Sequence, residues 1–330
     1  MLKSSIFRPL AIVSLLLVSA HAAPKATMTN PDFTKGDPIP AGATKDWTLG
    51  ATGTRGWMYS DKLCTVDARQ VRITKVDKTS PADGKLEVGD VILGVGGKPF
   101  SYDPRTEIGK ALTAAESKDG KFSLTRWKNG ATDEVVLQLP VLGTYSKTAP
   151  FNCEKSKKIL DAGCEALAAR MAKDPNYARQ GAIPRSLNAI ALLASGDPKY
   201  LELIKKEAEW AKGFSADGMA TWYYGYVMMF LAEYTIATGD KSAMAGLERL
   251  AMEASTGQSN VGSWGHKFAT PDGRLYGYGM MNAPGVPPTT GLVMAKKAGV
   301  NKPELDLAIE RSAKLLRFYM GKGSIPYGDH

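Results

Sequence analysis

From Trp47 to Leu142 the chain alternates apolar and polar residues in short runs broken by Gly, Asp and Asn, the two-residue period of half-buried strands. Residues 71–76 alternate with Val71, Ile73 and Val76 as the apolar set. Residues 91–95 form a continuous apolar run closed by Gly96-Gly97. Residues 122–127 and 135–139 form two more strands around the turn Lys128-Asn129-Gly130, because Asn-Gly tolerates positive φ. One helix interrupts them, about Pro104 to Ser117. Asp103 serves as its N-cap, Pro104 as its first helical residue, and Ile108, Leu112 and Ala115 as its buried stripe.

After residue 150 the period changes to that of helices, predicted near 153–173, 183–194, 198–213, 219–238, 241–255, 288–298 and 303–320. The breaks are Asp174-Pro175, Gly196-Asp197-Pro198, residues 215–218, Gly239-Asp240 and Gly299 to Pro303. Residues 256–287, rich in Gly, aromatics and Asn, read as a long structured loop. Residues 221–234 are apolar nearly all round, which requires burial on most sides. Helices of similar length joined by short loops predict stacked αα-hairpins. Their odd number leaves the last helix unpaired, so the sequence is expected to be a piece of a longer protein.

The N-terminus changes the setting. Lys3 and Arg8 precede the apolar run Leu10 to Val18, and Ala20-His21-Ala22 is a cleavage-site pattern, so residues 1–22 read as a signal peptide. The protein is then exported, periplasmic or extracellular, with no membrane span after cleavage. Residues 23–46, rich in Pro, Gly, Thr and Lys, read as a flexible leader. The net charge of +9 falls to +7 when Lys3 and Arg8 leave. The remaining Lys and Arg are mixed with acids, which suits mild attraction to anionic surfaces and argues against nucleic acid as a partner. Of three cysteines, Cys153 and Cys164 would lie about 16 Å apart along one helix. They are too far apart to pair, so Cys64, Cys153 and Cys164 are expected as buried free thiols. No CxxC or zinc-ligand spacing occurs, and neither a metal nor a cofactor is expected.

The segment Thr79 to Val95 carries Ser80-Pro81-Ala82, Leu86, Gly89-Asp90 and Ile92 at the spacing of the PDZ family, which residues 47–145 resemble closely. The resemblance implies binding of an extended peptide by strand addition, with its C-terminal carboxylate in a nest of backbone N–H groups. It places the ligand-binding loop at Thr54, Arg55, Gly56, Trp57 and Met58, with Gly56 turning the N–H groups inward and Arg55 attracting the carboxylate. The groove wall would be the 104–117 helix. A groove filled by the protein's own chain is the alternative.

The helical region, 150–330, resembles the α/α-toroid superfamily, and the whole chain resembles an uncharacterised family of exported bacterial PDZ-containing proteins. The fold class is therefore a small β-rich PDZ-like domain followed by an all-α domain of stacked αα-hairpins, a partial α/α toroid. In such toroids the cleft lies where loops lead into inner helices. There the sequence puts Arg185 and Asn188, Trp222 and Tyr223, His266 and Asn282, and Tyr327, Asp329 and His330. The candidate acid–base set is His266, Asp329, His330 and Tyr223, with Trp222, Asn282 and Tyr327 lining the cleft. Two functions are thus expected in competition. One is a scaffold that binds a peptide or protein C-terminus or extended strand. The other is an enzyme acting on a polysaccharide or other envelope polymer. No G-x-S-x-G, H-E-x-x-H or P-loop motif supports a protease or nucleotide enzyme.

Overall fold

The computed structural model describes residues 29–216 and 220–328, and the chain divides between Thr144 and Tyr145 into two compact units. The expected signal peptide over residues 1–22, the start of the expected leader and the pair Asp329 and His330 lie outside the described residues. No described helix is long and apolar enough to cross a membrane.

The first unit is an antiparallel sheet ordered β1-β2-β3-β4-β6-β7, with β5 on β4. Its strands are β1 (Trp47–Thr48), β2 (Thr54–Trp57), β3 (Val71–Val76), β4 (Val91–Val95), β5 (Lys98–Pro99), β6 (Lys121–Lys128) and β7 (Ala131–Gln138). Helix α1 (Pro104–Glu116) lays Ile108, Leu112 and Ala115 on one face, over Ile73, Ile92, Phe122 and Leu137. Asp103 caps it by accepting from the Arg105 N–H at 2.9 Å and from Thr65 Oγ1 at 2.7 Å. The turn before β4 is built as its sequence suggests. Ala82 and Leu86 are buried, Gly89 has φ +102°, and Asp90 accepts from the Glu87 N–H at 2.9 Å.

The leader is not loose where it is described. Phe33 is buried against Trp57 and Val91 on the sheet face opposite α1, its ring edge-on to Trp57 at 5.7 Å. Gln70 accepts from the Phe33 N–H at 2.7 Å, and Asp32 caps the short turn Phe33–Lys35. One aromatic anchor plus side-chain-to-backbone bonds holds the segment. Neither leaves a periodic signature, which is why composition alone suggested a flexible tether.

The second unit stacks helices in two layers. Helices α3 (Ala182–Ala194), α5 (Ala220–Thr238) and α7 (Asn282–Ala298) form the inner row. The outer row is α2 (Glu154–Lys173), α4 (Leu201–Lys212), α6 (Met244–Thr256) and α8 (Pro303–Tyr319). Val227, Met228, Phe230 and Leu231 of α5 are fully buried, as an all-round apolar helix demands. Helix α7 starts six residues before the expected 288, because Pro287 and Pro288 sit inside it. Prolines normally interrupt a helix, but here they press against the bare Gly225 of α5, where a Cβ would come 2.4 Å from the Pro287 carbonyl carbon. The loop before α7 is pinned from within. Trp264 is fully buried and donates to the Ala254 carbonyl at 3.0 Å. Gln258 donates to the Ala308 carbonyl and to Ser312 Oγ, both at 2.9 Å.

Candidate functional site

In the first unit, the edge of β2 away from β3 is the one an added peptide strand would join. The protein's own β1 holds it. Trp47 pairs with Gly56 and Thr48 with Arg55, and the Leu49 N–H donates to the Thr54 carbonyl at 2.9 Å. The segment runs between β2 and α1. The Trp47 ring lies 5.6 Å from the Arg105 guanidinium at the start of α1, and Gly50 abuts Leu112, whose Cδ1 would sit 2.8 Å from an added Cβ.

Of the five residues named from sequence, Thr54, Arg55, Gly56 and Trp57 form β2 itself and Met58 follows it. Thr54 and Trp57 are buried in β2, and Met58 is buried just after it. Gly56 is a strand residue rather than a turn. Its missing Cβ makes room for Val71, whose Cγ1 would lie 2.4 Å away. The left-handed glycines are instead Gly50 (φ +65°), which opens the turn Gly50–Thr52, and Gly53 (φ +74°), which closes it. Arg55 faces a carboxylate, but an internal one. Its Nε donates to Asp46 Oδ1 at 2.8 Å, a second nitrogen ion-pairs with that oxygen at 2.6 Å, and Thr74 Oγ1 donates to Asp46 Oδ2 at 2.6 Å. The Arg55 hydrogen bond holds the Asp46 carboxyl below its usual range.

In the helical unit, Trp222 and His266 meet. The indole N–H donates to His266 Nδ1 at 2.9 Å, which leaves the proton of a neutral ring on Nε2. The two rings stack at 6.2 Å, and Tyr278 stands edge-on to His266 at 6.1 Å. Thr221 Oγ1 lies 2.6 and 2.7 Å from the carbonyls of Gly265 and His266 and fixes the loop to α5. His266, Lys267, Tyr276, Gly277 and Tyr278 line a cavity of about 460 Å³, with both tyrosines well exposed.

The other candidates are placed differently. The Tyr223 ring packs on Phe214, and Asn282 is buried, donating its side-chain N–H to the Pro326 carbonyl at 2.8 Å. Tyr327 accepts through its backbone carbonyl from the Asn282 N–H at 2.8 Å, so this pair ties the 326–328 segment to the start of α7. Arg185 is buried between Glu207, at 2.7 Å, and the Trp210 ring, at 3.8 Å, a structural position. Among the described residues no ion pair joins His266 to a carboxylate, and no cluster of three His, Cys, Asp or Glu side chains suits a metal.

The groups that sequence reasoning missed are Asp46, Trp47 and Thr74 around Arg55, and Tyr276 and Tyr278 beside His266. Residue spacing carries no sign of either grouping. The thiols also differ from expectation. All three are free, but Cys64 is exposed, and Cys153 sits at the N-cap of α2 rather than within it. Hydrogen bonds from Ser156 and from the Ser146 N–H pull the Cys153 thiol down to about 6.

Comparison with known families matches a PDZ domain to residues 44–121, a span that includes β1, β2 and α1. No curated protein and no solved structure matches the chain. A second family, described as a domain of unknown function (DUF6288), matches residues 156–330, more than half of the sequence. The chain is thus a member of the DUF6288 family that carries a PDZ domain ahead of the family's helical region.

Proposed function

We propose that this is an exported peptide-binding scaffold. Its PDZ unit takes an extended segment of a partner at the β2 edge, and its helical unit, a partial α/α toroid, offers a second surface. The observation that carries the reading is the β2–α1 groove itself: it accepts a strand by backbone pairing, and Arg55, Thr74 and Arg105 line it for an acidic one. Export rests on the sequence pattern of residues 1–22. An array of peptides, each with a free and with an amidated C-terminus, probed with the whole chain, tests it. Selective binding that Arg55→Ala weakens supports the scaffold. An array without a binder, free or amidated, counts against it.

A second reading is favoured by the exposed Tyr276 and Tyr278 around His266. A cavity lined by an imidazole and two aromatic rings suits an envelope polymer such as a polysaccharide. Cleavage of such a polymer that is abolished by His266→Ala would support the enzyme. Unchanged cleavage in that variant would remove it.

A further inference from the structure

The segment in the PDZ groove is built like a ligand. It is extended, its backbone pairs with β2, and it presents a carboxylate to Arg55 and Thr74 and then an aromatic ring to Arg105, which also ion-pairs with the α1 cap Asp103. Asp46 takes the Arg55 guanidinium and the Thr74 hydroxyl, and Trp47 lies beside Arg105. Its hold is small. Strand β1 is only two residues long, Thr48 is exposed, and Asp46 and Trp47 are only partly buried. On one side it ends at Leu49, which is buried and followed by the turn Gly50–Thr52, where Gly50 and the closing Gly53 have positive φ. On the other side the leader is held separately, through Phe33 on the opposite sheet face. Residues 45–48 are thus a short span between two firm anchors.

We propose that residues 45–48 are a built-in occupant of the groove, and that the external ligand is an internal peptide segment of the same chemistry, an acidic side chain followed by an aromatic one, which binds by displacing β1. This rests on the peptide-binding reading above. It specifies that a free C-terminal carboxylate is not required, since the carboxylate that Arg55 holds belongs to a side chain. It also specifies that the apparent affinity is lowered by the fraction of time β1 occupies the edge, so detaching β1 raises it.

The test uses the whole chain and one probe, a fluorescein-labelled, C-terminally amidated peptide of the sequence Ala-Thr-Lys-Asp-Trp-Thr-Leu-Gly. Its binding is followed by anisotropy to wild type and to the double variant Asp46→Asn/Trp47→Ala. Hydrogen exchange reports whether β2 amides have opened while β3 and β6 stay protected. The expected result is opened β2 amides and binding tighter than wild type by about tenfold or more. A probe with Asn for Asp should lose about tenfold, and a free C-terminus should add little. Equal binding by both chains would overturn the displacement while leaving peptide capture standing. β2 amides that stay protected in the double variant would make β1 an ordinary strand and overturn it too. Opened amides with no probe binding would overturn both the proposal and the groove reading beneath it.

Discussion

Arg55 ties Asp46 to β2, and that pair makes a pH prediction. Asp46 titrates below its ordinary value because Arg55 donates to it, so its bond to β2 is complete above about pH 4 and is lost as the pH falls through the lower folded value. Protection of β1 and β2 amides against hydrogen exchange should therefore drop in that acidic window, and Asp46→Asn should flatten the dependence. A profile unchanged by the substitution would show that the pair does not hold β1. Arg185 gives a second residue-level test. Its removal by Arg185→Met leaves Glu207 buried without its cation and should cost about 3–5 kcal/mol in urea unfolding. Arg185→Met/Glu207→Leu should recover much of that loss. A single variant as stable as wild type would mean that Glu207 finds solvent. Arg185 was readable from sequence only as a polar residue near the start of a helix. Its partner lies on the next helix, 22 positions away, and no local pattern links them.

At the scale of elements, legibility followed how local each signal was. The turn Thr79 to Val95 and helix α1 with its Asp103 cap are written within a few residues of themselves, and the structure has them. The sequence predicts α7 too short because the Pro287 and Pro288 penalty is local, whereas the Gly225 that accommodates them lies on α5. Strand β1 is shorter than any period that could reveal it, so the occupant of the groove surfaced only in the fold. The contact of His266 with Trp222 spans 44 positions and was equally hidden. The α5–α7 contact is directly testable. Gly225→Ala should lower stability by about 1–3 kcal/mol or more, since its Cβ would meet the Pro287 backbone. Gly163→Ala, on exposed α2 with open space around it, should be neutral or stabilise by about 0.5–1 kcal/mol. Equal melting temperatures for the two variants would mean that α5 and α7 can separate at little cost.

Among the described residues each unit has its own main core, and the first unit adds the smaller Phe33, Trp57 and Val91 cluster on its other sheet face. Ile73, Ile92 and Leu137 centre one main core, and Val227, Leu231 and Leu247 centre the other, with no residue shared. Calorimetry should resolve two unfolding transitions, and Arg185→Met should lower only one of them. A single transition that moves as a whole would show that the cores unfold together. The sequence division into a β-rich and a helical part came from the change of period near residue 150, and the units part at Thr144 and Tyr145. The PDZ match and the DUF6288 match fall on opposite sides of that point.

The central claim is that the PDZ unit captures an extended segment at β2. The most direct measurement is hydrogen exchange of the whole chain with and without a peptide selected from the array. The account expects slowed exchange in residues 54–57, with accompanying changes at residues 45–48 and along α1. Peptide binding that leaves all of these untouched and protects another surface would contradict it.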